Sequence, residues 1–281
     1  MRKTLLLLQF LSVIIHTSAQ DLKFDKKFVQ SEDKWVAFKP DSIGSYNFGF
    51  IYIDAQAGLT LDYAGSFTID KNGVFLPKAK EIQGAMKYRL EPNNVLVAHI
   101  PESKISQLKV SLIPDFLAGY KVGENTVERL YKWGYMYNGW GECNKALEFL
   151  EKAAKLDTNY KGLAVELAYS YNCLEQYQNA ITVLKTALKS NPKDSYTNKE
   201  YIFALSKNNQ LDEAKKIYKK SLETSSDKTY QVENAFNILQ GYFLKKDNIE
   251  FQNWLAETKD LYSSNSHING IVEKMKTQIK N

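Results

Sequence analysis

The 281-residue chain carries 37 basic and 32 acidic residues, and beyond position 19 the balance is 35 against 32. That is too even to select nucleic acid or an anionic membrane as partner. Two cysteines are too few for a disulfide framework, so an apolar core must carry the fold, and the chain beyond position 19 is long enough for two ordinary domains.

Arg2 and Lys3 open the chain, Leu5 to Ile15 is apolar except for Gln9 and Ser12, and Thr17-Ser18-Ala19 follows with small residues. This order of charge, apolar run and small residues predicts a secretory signal peptide over 1–19, cleaved after Ala19. The apolar run is too short to span a bilayer, and no later stretch is long enough. After position 19 there are 21 asparagines and no Asn-x-Ser/Thr sequon, which points to a bacterial envelope. The expected location is the periplasm, cell surface or medium of a Gram-negative bacterium.

Residues 20–113 read as a β-rich module, an antiparallel sandwich or barrel. Tyr46 to Ile53 is aromatic and β-branched, and Leu59, Leu61 and Tyr63 alternate with Thr60 and Asp62. Trp35 to Phe38 predicts an earlier strand. Phe67 and Ile69 lead into Lys71-Asn72-Gly73, and Val74-Phe75 leads out, which predicts a hairpin with a type I′ turn. A second hairpin is expected at Tyr88 to Leu90, turning at Glu91 to Asn94 and returning over Val95 to Ile100. Residues 103–112 fit strand or short helix, and 114–123 read as a linker.

From Thr126 the period becomes helical and the chain repeats. Ala146, Ala180 and Ala214 recur at one spacing, and the same spacing separates Tyr137, Tyr171 and Leu205, and again Gly134, Ala168 and Ile202. Leu150, Leu184 and Tyr218 follow each alanine by one helical turn. A period of about 34 residues, with small residues where helices meet and large apolar residues between, resembles the tetratricopeptide repeat. The resemblance implies a right-handed α-solenoid over 124–281. Its helical hairpins would span 127–160, 161–194 and 195–228, with a degenerate one at 229–262 and a capping helix at 266–280. Ile202, at a small-residue position, predicts looser pairing in the third hairpin.

The resemblance also implies a binding groove lined by the first helix of each repeat. Its candidate lining residues are Tyr131, Tyr135, Asn138, Tyr169, Asn172, Lys199, Phe203 and Ser206. An aromatic stripe beside an amide stripe can hold an extended peptide, the rings giving area and the amides bonding its backbone. The same rings could instead pack as core between helices. Family members that clamp a C-terminal carboxylate use Lys and Asn where this chain has Tyr131 and Tyr135, so that ligand does not carry over.

In the repeat frame Cys143 opens the second helix of repeat one and Cys173 closes the first helix of repeat two. The turn near Thr158-Asn159 puts them level on antiparallel helices whose axes would lie about 8–10 Å apart. They are therefore candidates for a disulfide.

Chemistry is sparse. Beyond position 19 only His99 and His267 remain, and no His/Cys/carboxylate cluster has metal-ligand spacing. There is no Gly-rich phosphate loop, Gly-x-Ser-x-Gly elbow or His-Glu-x-x-His motif, so no catalytic, cofactor or metal residue is assigned and no enzyme is expected. The expected function is an exported scaffold or adaptor that binds a protein or peptide through the groove. The alternative is a carbohydrate- or surface-binding protein read by the β module, where Trp35 and several tyrosines could stack on sugars. A third reading is a hydrolase whose carboxylate pair leaves no motif.

Overall fold

The computed structural model describes residues 22–78, 84 and 86–279. The expected signal peptide lies outside the described residues. The chain divides into two compact units, one ending at Tyr120 and one beginning at Lys121.

Among the described residues the first unit is an antiparallel sheet of seven strands. They are β1 (Lys26–Lys27), β2 (Lys34–Ala37), β3 (Tyr46–Asp54), β4 (Gly58–Ile69), β5 (Phe75–Pro77), β6 (Met86–Arg89) and β7 (Leu96–His99). Their order is β1-β7-β2-β3-β4, with β5 and β6 side by side on the far edge of the long β4. A bulge between Phe48 and Gly49 shifts the β3–β4 register. At Gly49 an added Cβ would lie 2.5 Å from the Asp62 carbonyl oxygen, so glycine is what the bulge admits.

Alternation along the strands puts Trp35, Ala37, Phe48, Phe50, Tyr52 and Phe67 into one core. Among the described residues no second sheet covers that core. Residues 100–120 do, with Ile100, Ile105, Leu108 and Leu117 buried in it and Phe116 and Tyr120 packed against it. Within this strap α1 (Glu102–Ile105) runs into a 3₁₀ turn, and α2 (Leu117–Tyr120) follows, so the ambiguous 103–112 stretch is mostly helical. The Trp35 indole donates to the Ser111 and Leu112 carbonyls at 3.0 and 3.1 Å, fastening the strap to the sheet.

Three expectations are corrected here. The segments flanking Glu91 to Asn94 do not form a hairpin: β6 pairs with β4, and β7 pairs with β2 and β1. Each answers a free edge elsewhere in the sheet, which local turn chemistry does not reveal. At Asn72-Gly73 only Gly73 takes a positive φ, of 74°. Asp70 closes that loop by accepting from the Asn72 and Val74 amides at 2.9 and 2.8 Å, so the turn is not type I′. Residues 114–120 are not linker, because Phe116, Leu117 and Tyr120 are part of the sheet's core.

Among the described residues the second unit is four helical hairpins and a final helix. The pairs are α3 (Val127–Gly139) with α4 (Cys143–Leu156), α5 (Leu163–Cys173) with α6 (Tyr177–Ser190), α7 (Ser195–Lys207) with α8 (Leu211–Thr224), and α9 (Gln231–Lys245) with α10 (Asn248–Tyr262). α11 (Ser266–Gln278) follows. Small residues set the spacing. A Cβ on Gly134 would lie 2.3 Å from the Leu150 side chain, and one on Gly241 2.3 Å from Leu211. Ala146, Ala180, Ala214 and Ala235 are fully buried. So is Ile202, at the position where the repeat usually has a small residue. First helices pack on first helices: α3 on α5, α5 on α7, α7 on α9. Since no hairpin can bury its own faces, this stacking supplies the core.

Candidate functional site

The inner row of helices α3, α5, α7 and α9 carries every groove residue expected from the sequence, but in two different roles. Asn138, Asn172 and Ser206 are buried, at 3, 5 and 6% exposure. The amide of Asn138 donates to the Glu166 carbonyl and to Glu166 Oε2, at 3.0 and 2.9 Å. Its oxygen accepts from the Ser170 hydroxyl at 2.7 Å. One repeat on, Asn172 donates to the Glu200 carbonyl and Oε2 at 3.2 and 2.8 Å. The amide stripe is therefore spent on joining repeats, which corrects its assignment to a peptide backbone. Ser206 is too short to continue the pattern, and among the described residues its buried hydroxyl finds no partner.

The rings are the accessible part. Tyr135 is 60% exposed. It leans on half-buried Tyr131 with ring centroids 6.4 Å apart, and Tyr131 lies 5.2 Å from Tyr160. Tyr169 is half-buried on α5. Phe203 is partly turned inward, edge-on to Tyr177 of α6 at 6.3 Å. Gly162 leaves room for the Tyr131 hydroxyl, which would stand 2.6 Å from a Cβ there.

Lys199 sits on Glu200 at 2.9 Å and reaches Glu233 at 3.5 Å. Its ammonium also faces the rings of Tyr196 and Tyr230, at 5.4 and 5.7 Å from their centroids. Burial alone would lower the Lys199 pKa, but the two carboxylates hold it above the usual lysine value. Glu166 is the opposite case: burial, with the Glu200 charge adding, pushes its carboxyl up against the opposing bond from Asn138. Tyr131 is pushed up to about 12, by burial and then by the Glu166 charge. Tyr196 is raised by burial and by Glu200 and Glu166.

Glu166, Glu200, Tyr160, Tyr196 and Tyr230 were missed by sequence reasoning. The glutamates had a signal: they stand one repeat apart, each 28 after a groove-frame asparagine. Tyr196 and Tyr230 also stand one repeat apart, but they enter from the start of a helix, outside the groove frame, and Tyr160 enters from an inter-repeat turn.

Two other expectations have definite places. Cys143, at the start of α4, and Cys173, at the end of α5, are joined as a disulfide. Trp35, offered as a sugar platform, is inside the sheet's core with its indole bonded, and cannot stack on a ligand. His99 is half-buried, 3.0 Å from the Ser31 hydroxyl. Among the described residues no three His, Cys, Asp or Glu side chains gather as a metal site, and no helix is long and apolar enough to cross a membrane.

A family model described as tetratricopeptide repeat matches residues 174–231, from the end of α5 to the start of α9. Residues 174–231 match tetratricopeptide repeats, and the helical hairpins on either side continue the same stacking of first helix on first helix. No curated protein matches the chain in sequence. Among solved structures, MamA from Desulfovibrio magneticus RS-1 is similar at 18% identity and a TM-score of 0.44, over 59% of this chain and 87% of that one. A second MamA, MSR-1 C2, is similar at 18% identity and a TM-score of 0.45, over 58% and 90%. The tetratricopeptide-like repeats of a putative kinesin light chain from Podosopora anserina are similar at 16% identity and a TM-score of 0.41, over 54% and 82%. Likenesses of this degree carry no ligand across to the array.

Proposed function

We propose that the chain is an exported scaffold whose tetratricopeptide array binds an extended segment of a partner protein along the inner helices. The observation that carries this reading is the tyrosine row. Tyr135 is 60% exposed beside Tyr131, and Tyr169 and Tyr196 continue the row, where a soluble surface normally shows charge. Tyrosine gives large contact area at low entropic cost, as binding surfaces require. The buried asparagines keep the repeats in register beneath that row; they do not bond the partner.

The test is selection of displayed peptides on the full mature chain. Enriched peptides should bind the Tyr135→Ala/Tyr169→Ala double variant at least about tenfold more weakly, since truncated hot-spot rings typically cost over ~1 kcal/mol each. Equal binding by a double variant with unchanged helicity overturns the reading. Export rests on residues 1–19 alone. It is tested by the N-terminal sequence of the protein recovered outside the cytoplasm, which should begin at Gln20.

A further inference from the structure

Repeat two contains a carboxylate that lacks the cation its counterpart in repeat three enjoys. Glu166 and Glu200 are equivalent, one repeat apart, each bonded through Oε2 to the asparagine of the preceding repeat at 2.9 and 2.8 Å. Glu200 completes its shell through Oε1, which accepts from the Lys199 ammonium at 2.9 Å. The residue equivalent to Lys199 is Val165, which has no donor to offer. Glu166 Oε1 accepts no hydrogen bond from the described residues, although the side chain is only 5% exposed. That oxygen is not sealed from solvent, so a cation from outside can reach it, and a largely buried charge is costly until it is paired.

Its surroundings suit a cation. Lys199 lies between the rings of Tyr196 and Tyr230. Tyr196 precedes Tyr230 by one repeat, and so holds beside Glu166 the place that Tyr230 holds beside Glu200. On the other side, Gly162 admits the Tyr131 hydroxyl to the turn directly beneath Glu166, whose amide bonds the Gly162 carbonyl at 3.2 Å. A phenol oxygen, a neighbouring aromatic ring and a carboxylate are the components of an ammonium receptor.

We propose that Glu166, Tyr131 and Tyr196 form a receptor for a lysine ammonium of the bound partner, entering as Lys199 enters its own site on Glu200. The inference rests on the groove reading above. Burial and the Glu200 charge push the Glu166 carboxyl up, and a bound ammonium would bring it down.

The probe is n-butylammonium, a lysine side chain without its backbone, titrated into the mature full chain and followed by tyrosine ring signals in NMR. Saturable shifts with a Kd on the order of millimolar are expected, with none from n-butanol. Glu166→Gln keeps an acceptor for Asn138 but removes the charge, and Val165→Lys supplies an internal ammonium. Each should weaken n-butylammonium binding at least tenfold, and lysine should be enriched among the peptides selected on the wild type. Val165→Lys carries the test alone if Glu166→Gln does not fold. Wild-type shifts that persist in the variants, or no saturable shifts at all, overturn the ammonium receptor whether or not peptides bind. Saturable, Glu166-dependent shifts with no peptide selected uphold the receptor and count against the groove reading instead.

Discussion

At the scale of residues, the array is held by polar groups that sequence logic assigned to the ligand. Asn138 satisfies three groups at once: the Glu166 carbonyl, one Glu166 carboxylate oxygen and the Ser170 hydroxyl. Asn138→Ala leaves the Glu166 carboxylate oxygen unpaired, while the Ser170 hydroxyl and the Glu166 carbonyl keep their own bond at 3.2 Å, and should cost about 1–3 kcal/mol in urea unfolding. Glu166 itself should behave in the opposite sense. Its folded pKa lies above its unfolded one, so the unfolded chain releases its proton first as pH rises. Its contribution to stability is fully present below the ordinary carboxylate pKa and is lost as pH climbs from there through the raised folded pKa. Glu166→Gln should therefore unfold at higher urea than the wild type at pH 7, with the gap closing toward pH 4. A gap that widens on acidification contradicts the burial of an uncompensated charge. A residue that lowers stability at neutral pH while facing the binding row is what a ligand site looks like energetically.

At the scale of elements, the repeat period is written into the turns as well as the helices. Gly141, Glu175 and Asn209 all take left-handed conformations at that spacing, closing successive first helices, and Lys246 does the same after a slip in frame. The hairpins were legible in the sequence because each is a local structure with a local signature. The Cys143–Cys173 pair was legible for the same reason, since two helices and one short turn fix its level. Reduction opens a loop whose ends are 30 positions apart, and the chain-entropy model gives about 3–4 kcal/mol for such a bond. Cys143→Ser/Cys173→Ser should lower the urea midpoint of the helical unit accordingly, and reductant should leave the double variant unmoved. Thiols titratable in the unreduced, denatured protein contradict the bond. What was not legible depended on partners far along the chain. Nothing near Tyr88 announces that β6 pairs with β4, and the partner of Asn138 lies 28 positions on, where only the repeat frame, not local chemistry, points to it. The groove rings were visible as a stripe, but Glu166 was not, because a glutamate on a helix ordinarily reads as a solvated face.

At the scale of the molecule, the unit boundary makes the sharpest claim. The helical unit stacks hairpin on hairpin from α3 to α11, so residues 121–281 should melt cooperatively on their own. The β unit needs more chain than its strands. Its core is closed by the strap, where Leu117 is 8% exposed and Phe116 packs against Tyr52 at 5.2 Å between centroids. Tyr120 lies 4.6 Å from Tyr52, and the Lys87 ammonium stands over Tyr52, Phe116 and Tyr120 at 5.3, 4.7 and 4.8 Å. A fragment ending at residue 113 discards Phe116, Leu117 and Tyr120 and uncovers Tyr52 and Phe50. Losing one buried Leu and one packed Phe costs about 2–5 kcal/mol each, against a total of about 5–15 kcal/mol for a domain. Residues 22–120 should therefore show a cooperative thermal transition in near-UV circular dichroism, and residues 22–113 should show none or one shifted down by well over about 10 °C. Equal melting of the two fragments would return residues 114–120 to the role of linker and leave the sheet's core to close on itself.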